Sequence, residues 1–142
     1  MAYDLSRFLK AQERDYEQAL REIRSGRKRS HWMWYIFPQI QGLGFSYTAQ
    51  VYAINDLQEA KEYLAHPVLG ARLKEISSAL LELEGLSASE IFGYPDDLKL
   101  RSCMTLFRLA DLDCEVFQAV LDKYYDGEPD SRTVRIVQEL SR

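Results

Sequence analysis

Residues 27 to 39, Arg-Lys-Arg-Ser-His-Trp-Met-Trp-Tyr-Ile-Phe-Pro-Gln, place three cations directly before one of two histidines, both tryptophans and an unbroken apolar run from Trp32 to Phe37. Such a sequence can hold an anion that carries a planar ring. A helix beginning at Ser30 would aim its free N–H groups and the positive end of its dipole at the space that Arg27, Lys28 and Arg29 reach. That makes a seat for a phosphate or carboxylate. His31, beside that charge, is the candidate general base, since an imidazole at neutral pH can accept a proton or a hydrogen bond. Trp32 and Trp34 lie about 200° apart around a helix, so one packs inward while the other is free to stack on a ligand. The plainer alternative is two core tryptophans and a buried, hydrogen-bonded histidine.

Weaker candidates lie elsewhere. Lys99, Arg101 and Ser102 are polar positions on a helix that otherwise reads as core, and the helix opens on a carboxylate pair, Asp96 and Asp97, a second source of acid or base. The simpler account makes one aspartate a cap and lets the two cations snorkel to the surface. Gln39, just after Pro38, is a further ligand-binding candidate.

Several chemistries lack their residues. Structural zinc needs three or four closely placed ligands, and His31, His66, Cys103 and Cys114 are the entire nitrogen and sulfur supply. No metal and no cofactor is expected. The acidic stretch from Asp122 to Asp130 spaces its aspartates four apart, whereas a calcium loop alternates ligands every second residue. Gly42-Leu43-Gly44 has Tyr47 where a dinucleotide fingerprint wants its third glycine. No nucleophile elbow is present, and both cysteines fall on apolar helical faces.

The elements that must position these residues read as helices nearly throughout. Leu5, Phe8, Leu9, Gln12, Tyr16, Ala19, Leu20 and Ile23 recur at three- and four-residue spacing between a capping Asp4 and a terminating Gly26. Ser30 caps a segment of at most two turns that Pro38 ends. No charged residue occurs between Arg29 and Asp56, so this segment must be wrapped by other helices. Residues 45 to 54 are the one stretch with strand propensity, a short helix being the alternative. Further helices are expected from Asp56 to Leu64, from Pro67 through Leu83, at Ser87 to Phe92, from Pro95 to Ala110, from Asp113 to Tyr124 and from Asp130 to Leu140, with Ser87 and Glu90 spaced as a capping box. The pattern predicts an all-α, single-domain compact bundle of seven or eight helices over residues 1 to 142.

Composition sets the wider frame. A chain of 142 residues suits one domain, and at 46% hydrophobic and 28% charged residues it is neither disordered nor membrane-embedded. The N-terminus lacks the pattern of a secretory signal, and two cysteines with no disulfide-like spacing suit a reducing compartment, so cytoplasmic residence is expected. A net charge of −4 argues against general nucleic-acid binding. The charge is unevenly spread: residues 21 to 29 hold five cations and one anion, residues 111 to 130 seven acids and one lysine.

Gly26-Arg27-Lys28-Arg29-Ser30-His31-Trp32-Met33-Trp34 running into Phe37-Pro38-Gln39, then Gly42-Leu43-Gly44, His66-Pro67-Val68-Leu69-Gly70 and Asp96-Asp97-Leu98-Lys99-Leu100-Arg101-Ser102, together resemble a bacterial domain-of-unknown-function family that sometimes carries the label calpastatin. That label does not suit the chain, since calpastatin repeats are disordered and this pattern is that of a packed core. The resemblance spans nearly the whole chain and implies a small, mostly helical, single-domain protein. It implies no activity. Two readings remain: a domain that binds a small anionic planar ligand, a nucleotide or ADP-ribose-like compound, and hydrolyses it if His31, Asp96 or Asp97 acts on it; or a non-catalytic interaction module whose basic patch docks an acidic protein.

Overall fold

Helices form wherever the apolar spacing predicts them, and side-chain caps at Ser46, Asp56, Ser87 and Asp130 set four of their starts among the described residues. The computed structural model describes residues 3 to 142, in which nine helices follow one another: α1 (Ser6–Arg24), α2 (Met33–Ile36), α3 (Tyr47–Val51), α4 (Leu57–Ala65), α5 (Leu69–Glu82), α6 (Ala88–Phe92), α7 (Asp96–Ala110), α8 (Glu115–Tyr125) and α9 (Ser131–Leu140). Asp56 accepts from Glu59 N, Asp130 accepts from Thr133 N, and Ser87 with Glu90 forms the full reciprocal box. Gly26, at φ +85°, turns the chain sharply after α1. Among the described residues no helix is long and apolar enough to cross a membrane.

α7 is the central element, packed against α4, α6, α8 and α9, while α5 closes on α1, α4 and α8. Leu100, Cys103, Met104, Leu106 and Phe107 of α7 are all fully buried, and they meet Tyr63 of α4 and Phe117 of α8 in a single cluster. Residues 32 to 37 join it from the side of α1 and α6. There Trp32 and Phe37 both meet the Phe92 ring near edge-on, at 6.5 and 5.9 Å.

Three local expectations are corrected. The stretch 45 to 54 is helical: Ser46 caps α3 by accepting from Ala49 N at 3.1 Å, and β propensity without a partner strand has nothing to pair with. Among the described residues only one isolated parallel bridge, Ile40 to Ile54, flanks it, and α3 accounts for the ninth helix. Arg7 of α1 then ties this segment down, donating to the carbonyls of Val51 and Ala53 at 2.8 and 2.9 Å while pairing with the buried Glu59 carboxylate at 3.2 Å. Second, α5 begins at Leu69 rather than Pro67; the His66 ring nitrogen accepts from Val68 N and Leu69 N, satisfying two of its first donors. Third, the segment after Ser30 does not become helical until Met33, and its cause is the neighbouring acid on α1.

Candidate functional site

Glu22 lies in the last turn of α1, three residues after the buried Ala19 and one before the buried Ile23, at the edge of the apolar face. Its carboxylate is only 4% exposed and gathers five hydrogen bonds: Oε1 accepts from Arg29 N (2.7 Å), Ser30 N (2.9 Å) and Trp32 Nε1 (2.9 Å), and Oε2 from the Ser30 hydroxyl and Gln18 Nε2 (both 2.6 Å). Burial alone would push this carboxyl up. The hydrogen bonds from Ser30, Arg29, Gln18 and Trp32 outweigh burial and pull it down to about 2. The N–H groups expected to face a ligand therefore already hold an anion, one supplied by the chain itself. Ser30 is spent on Glu22 and does not cap a helix, so the four-residue α2 brings no dipole to His31.

With residues 29 to 32 clamped in this way, the three cations diverge. Arg27 lines a separate shallow depression with Leu86 and Ser89 to Gly93, Arg29 projects into solvent, and Lys28 turns inward, its side chain 8% exposed. Lys28 Nζ lies 3.0 Å from Asp96 Oδ2, donates to Ser30 O at 2.6 Å and stands 5.0 Å from the centre of the Trp32 ring. Lys99, one turn into α7, reaches the other oxygen of Asp96 at 2.9 Å and lies 4.2 Å over the Trp34 ring. Burial would raise the Asp96 carboxyl, but the two lysines prevail and hold it below the usual carboxylate range. Asp96 is thus an ionised anchor for two ammonium groups and a weak base.

Lys28, His31, Trp32, Trp34, Asp96 and Lys99 surround a cavity of about 310 Å³, with Met33, Tyr35, Ser46 and Thr48 completing its wall. Trp32 is the inward tryptophan, 1% exposed; Trp34 is half-buried, its ring edge set against Gly44, where an added Cβ would fall 2.9 Å from Trp34 Cη2. Gly44 is required by that approach. Gln39, Lys99, Arg101 and Ser102 line an adjoining cavity of about 410 Å³ that shares Trp34 and Lys99 with the first. Asp97 lines neither: its carboxylate accepts from Leu98 N at 3.0 Å and its carbonyl from the Tyr125 hydroxyl. The Cys103 thiol is fully buried and pushed well up by desolvation, which leaves no thiolate for covalent chemistry.

Sequence reasoning missed Glu22, Ser46 and Thr48. The signal for Glu22 was its phase: it follows Ala19 by three and adjoins Ile23, on a face where an acid must find partners. Ser46 and Thr48 were hidden in the stretch read as a strand.

A helical single-domain protein with a paired-lysine cavity is what the fold and site define. The chain belongs to the family described as "Protein of unknown function (DUF1810)", whose model matches residues 2 to 137. It is similar to the conserved hypothetical protein Rv1873 from Mycobacterium tuberculosis, whose crystal structure superposes with a TM-score of 0.94 at 49% identity, covering 96% of this chain and 97% of that one. No curated protein matches the chain.

Proposed function

We propose that this protein binds a small anionic ligand with a planar ring, of the nucleotide or ADP-ribose-like kind, in the cavity between Lys28 and Lys99. The observation that carries the reading is the convergence of two lysine ammoniums on the single carboxylate of Asp96, beside the half-buried indole of Trp34. Two cations against one anion leave that wall with one net positive charge. The partly sheltered setting strengthens its pull on an anion, and a ring can pack on the indole. Free Cys103 and Cys114 suit a reducing compartment, which favours the cytoplasm.

The test is a thermal-shift and calorimetric screen of nucleotides, sugar phosphates and ADP-ribose against the parent and a Lys28→Met, Lys99→Met double variant. At a hundredfold excess over Kd a true ligand stabilises the parent by about 2.7 kcal/mol. The double variant should bind at least about tenfold more weakly, with a flatter salt dependence. A panel that shifts neither protein, or shifts both equally, removes the reading.

Hydrolysis is the further step. Asp96 is a weak base, so any proton transfer falls to His31, which is exposed at the cavity wall. If a panel ligand is turned over, His31→Gln should bind it within a few-fold of the parent while turnover falls about 10²-fold or more. Equal turnover in both proteins excludes His31. A second reading, a non-catalytic docking module, is favoured by one observation: Phe45, Tyr47 and Tyr94 are 78, 84 and 79% exposed, aromatic surface that a protein partner could cover. No turnover and no small-ligand binding, with tight capture of an acidic protein lost in an Arg27→Ala, Arg29→Ala variant, would favour it.

A further inference from the structure

We propose that the adjoining cavity of about 410 Å³ is a phosphate-binding compartment in which Gln39 Nε2, Arg101 and Arg132 hold the anion. Gln39 is 5% exposed, and its Nε2 is buried with no hydrogen-bond partner. A buried amide donor without an acceptor is costly, and its persistence points to a group that arrives from outside. The residue has little freedom to escape: Pro38 precedes it, and its carbonyl accepts from Ile54 N at 2.8 Å in the Ile40–Ile54 bridge.

Charge in this cavity is available rather than consumed. Arg101 donates its Nε–H to the Glu128 carbonyl at 2.9 Å and its guanidinium stands 5.7 Å from the centre of the Tyr125 ring, while its terminal nitrogens make no hydrogen bond among the described residues. Arg132, exposed in the first turn of α9, forms no ion pair among the described residues. Asp130, the acid in the wall, is already committed: one oxygen accepts from Thr133 N at 3.0 Å and from the Thr133 hydroxyl at 2.6 Å. In this cavity Lys99, Arg101 and Arg132 face Asp130, three cations against one carboxylate, for a net charge of +2. That matches a phosphate group, which carries about −1.5 to −2 near neutral pH. Leu43, Pro95 and Leu98 supply an apolar side against which the carbon skeleton of a phosphate ester can lie.

This goes beyond the reading of the first cavity, because a phosphate can sit on Gln39 whether or not a ring packs on Trp34 near Lys28. The test is a titration of the full chain, ¹⁵N-labelled, with inorganic phosphate at constant ionic strength, following the Gln39 side-chain amide and the Arg101 Nε–H. Both should shift saturably with a dissociation constant on the order of millimolar. Gln39→Met should weaken binding about tenfold or more, the scale of one hydrogen bond to a charged group. Arg132→Ala, a surface change that leaves folding untouched, should weaken it several-fold. Phosphate binding that persists while nucleotides fail to bind sinks the first-cavity reading and supports this one. Unmoved Gln39 resonances, or an affinity that ignores Gln39 and Arg132, overturns it.

Discussion

Glu22→Ala should lower stability by about 3 to 4 kcal/mol, because it strands the buried Trp32 indole N–H and the part-buried N–H groups of Arg29 and Ser30, which have no other acceptor among the described residues. Glu22→Gln should cost less, since an amide oxygen can still receive those three while its NH₂ faces the adaptable Ser30 hydroxyl and Gln18. The pair separates hydrogen bonding from charge. The folded carboxyl lies at about 2, below its ordinary value of 4.5, so its contribution is fully present above about pH 4.5 and is lost as pH falls toward 2. A depression of that size is worth roughly 3 kcal/mol at neutral pH. Between pH 7 and pH 3 the parent should therefore lose about 2 kcal/mol more than Glu22→Gln, whose amide does not titrate. Urea unfolding at the two pH values measures this. Parallel losses in parent and variant would mean that the Glu22 carboxyl titrates alike in the folded and unfolded protein, and that its hydrogen bonds do not depress it.

The same residue explains why the candidate site was only half legible in the sequence. Caps that act over three residues were readable: Asp56, Ser87 with Glu90, and Asp130 each begin a helix as their spacing predicts. The cation run was readable as a run, but its directions were set by a side chain five to seven positions earlier, and nothing local reveals that Glu22 consumes the donors at 29 and 30. Hence Lys28 turns toward Asp96, while Arg27 and Arg29 point elsewhere. The stretch 45 to 54 failed for a related reason. Its β-branched and aromatic residues favour a strand only if another strand is present to pair with, and among the described residues there is one bridge partner, Ile40. Helical periodicity survived such competition elsewhere because each long helix gains its stability from an apolar face that its own spacing defines.

Long-range placement also gives the site its rigidity. Asp96 stands in the first turn of the central helix, whose inner face is fully buried, and Lys99 follows one turn later. Trp34 and Gln39 approach from the opposite strand of connectivity, through α2 and the Ile40–Ile54 bridge. A ligand bound between them would meet side chains whose positions are fixed before it arrives, which lowers the ordering cost of binding.

Gly70→Ala should be among the most damaging single-methyl changes in the molecule, although alanine is the better helix former. Gly70 lies in the first turn of α5, where a Cβ would fall 2.0 Å from the carbonyl oxygen of Leu64 and 2.8 Å from its carbonyl carbon. Both atoms are backbone, so no rotamer change relieves the overlap; α4 and α5 must separate. Helix propensity favours the substitution by about 1 kcal/mol. Overpacking that moves backbone costs about 3 kcal/mol or more and should prevail. Separating these helices would also loosen Tyr63 and Leu73, both buried at their junction with the core. The expected result is a net loss of 2 to 3 kcal/mol, roughly 5 to 10 °C in the melting temperature of a domain this size. A control, Gly85→Ala, meets nothing within 4 Å and differs only in a positive φ of 74°, so its smaller cost isolates backbone strain from steric overlap. A Gly70→Ala protein that melts at or above the parent would show that helix propensity outweighs the contact, and that α4 and α5 can part without loss.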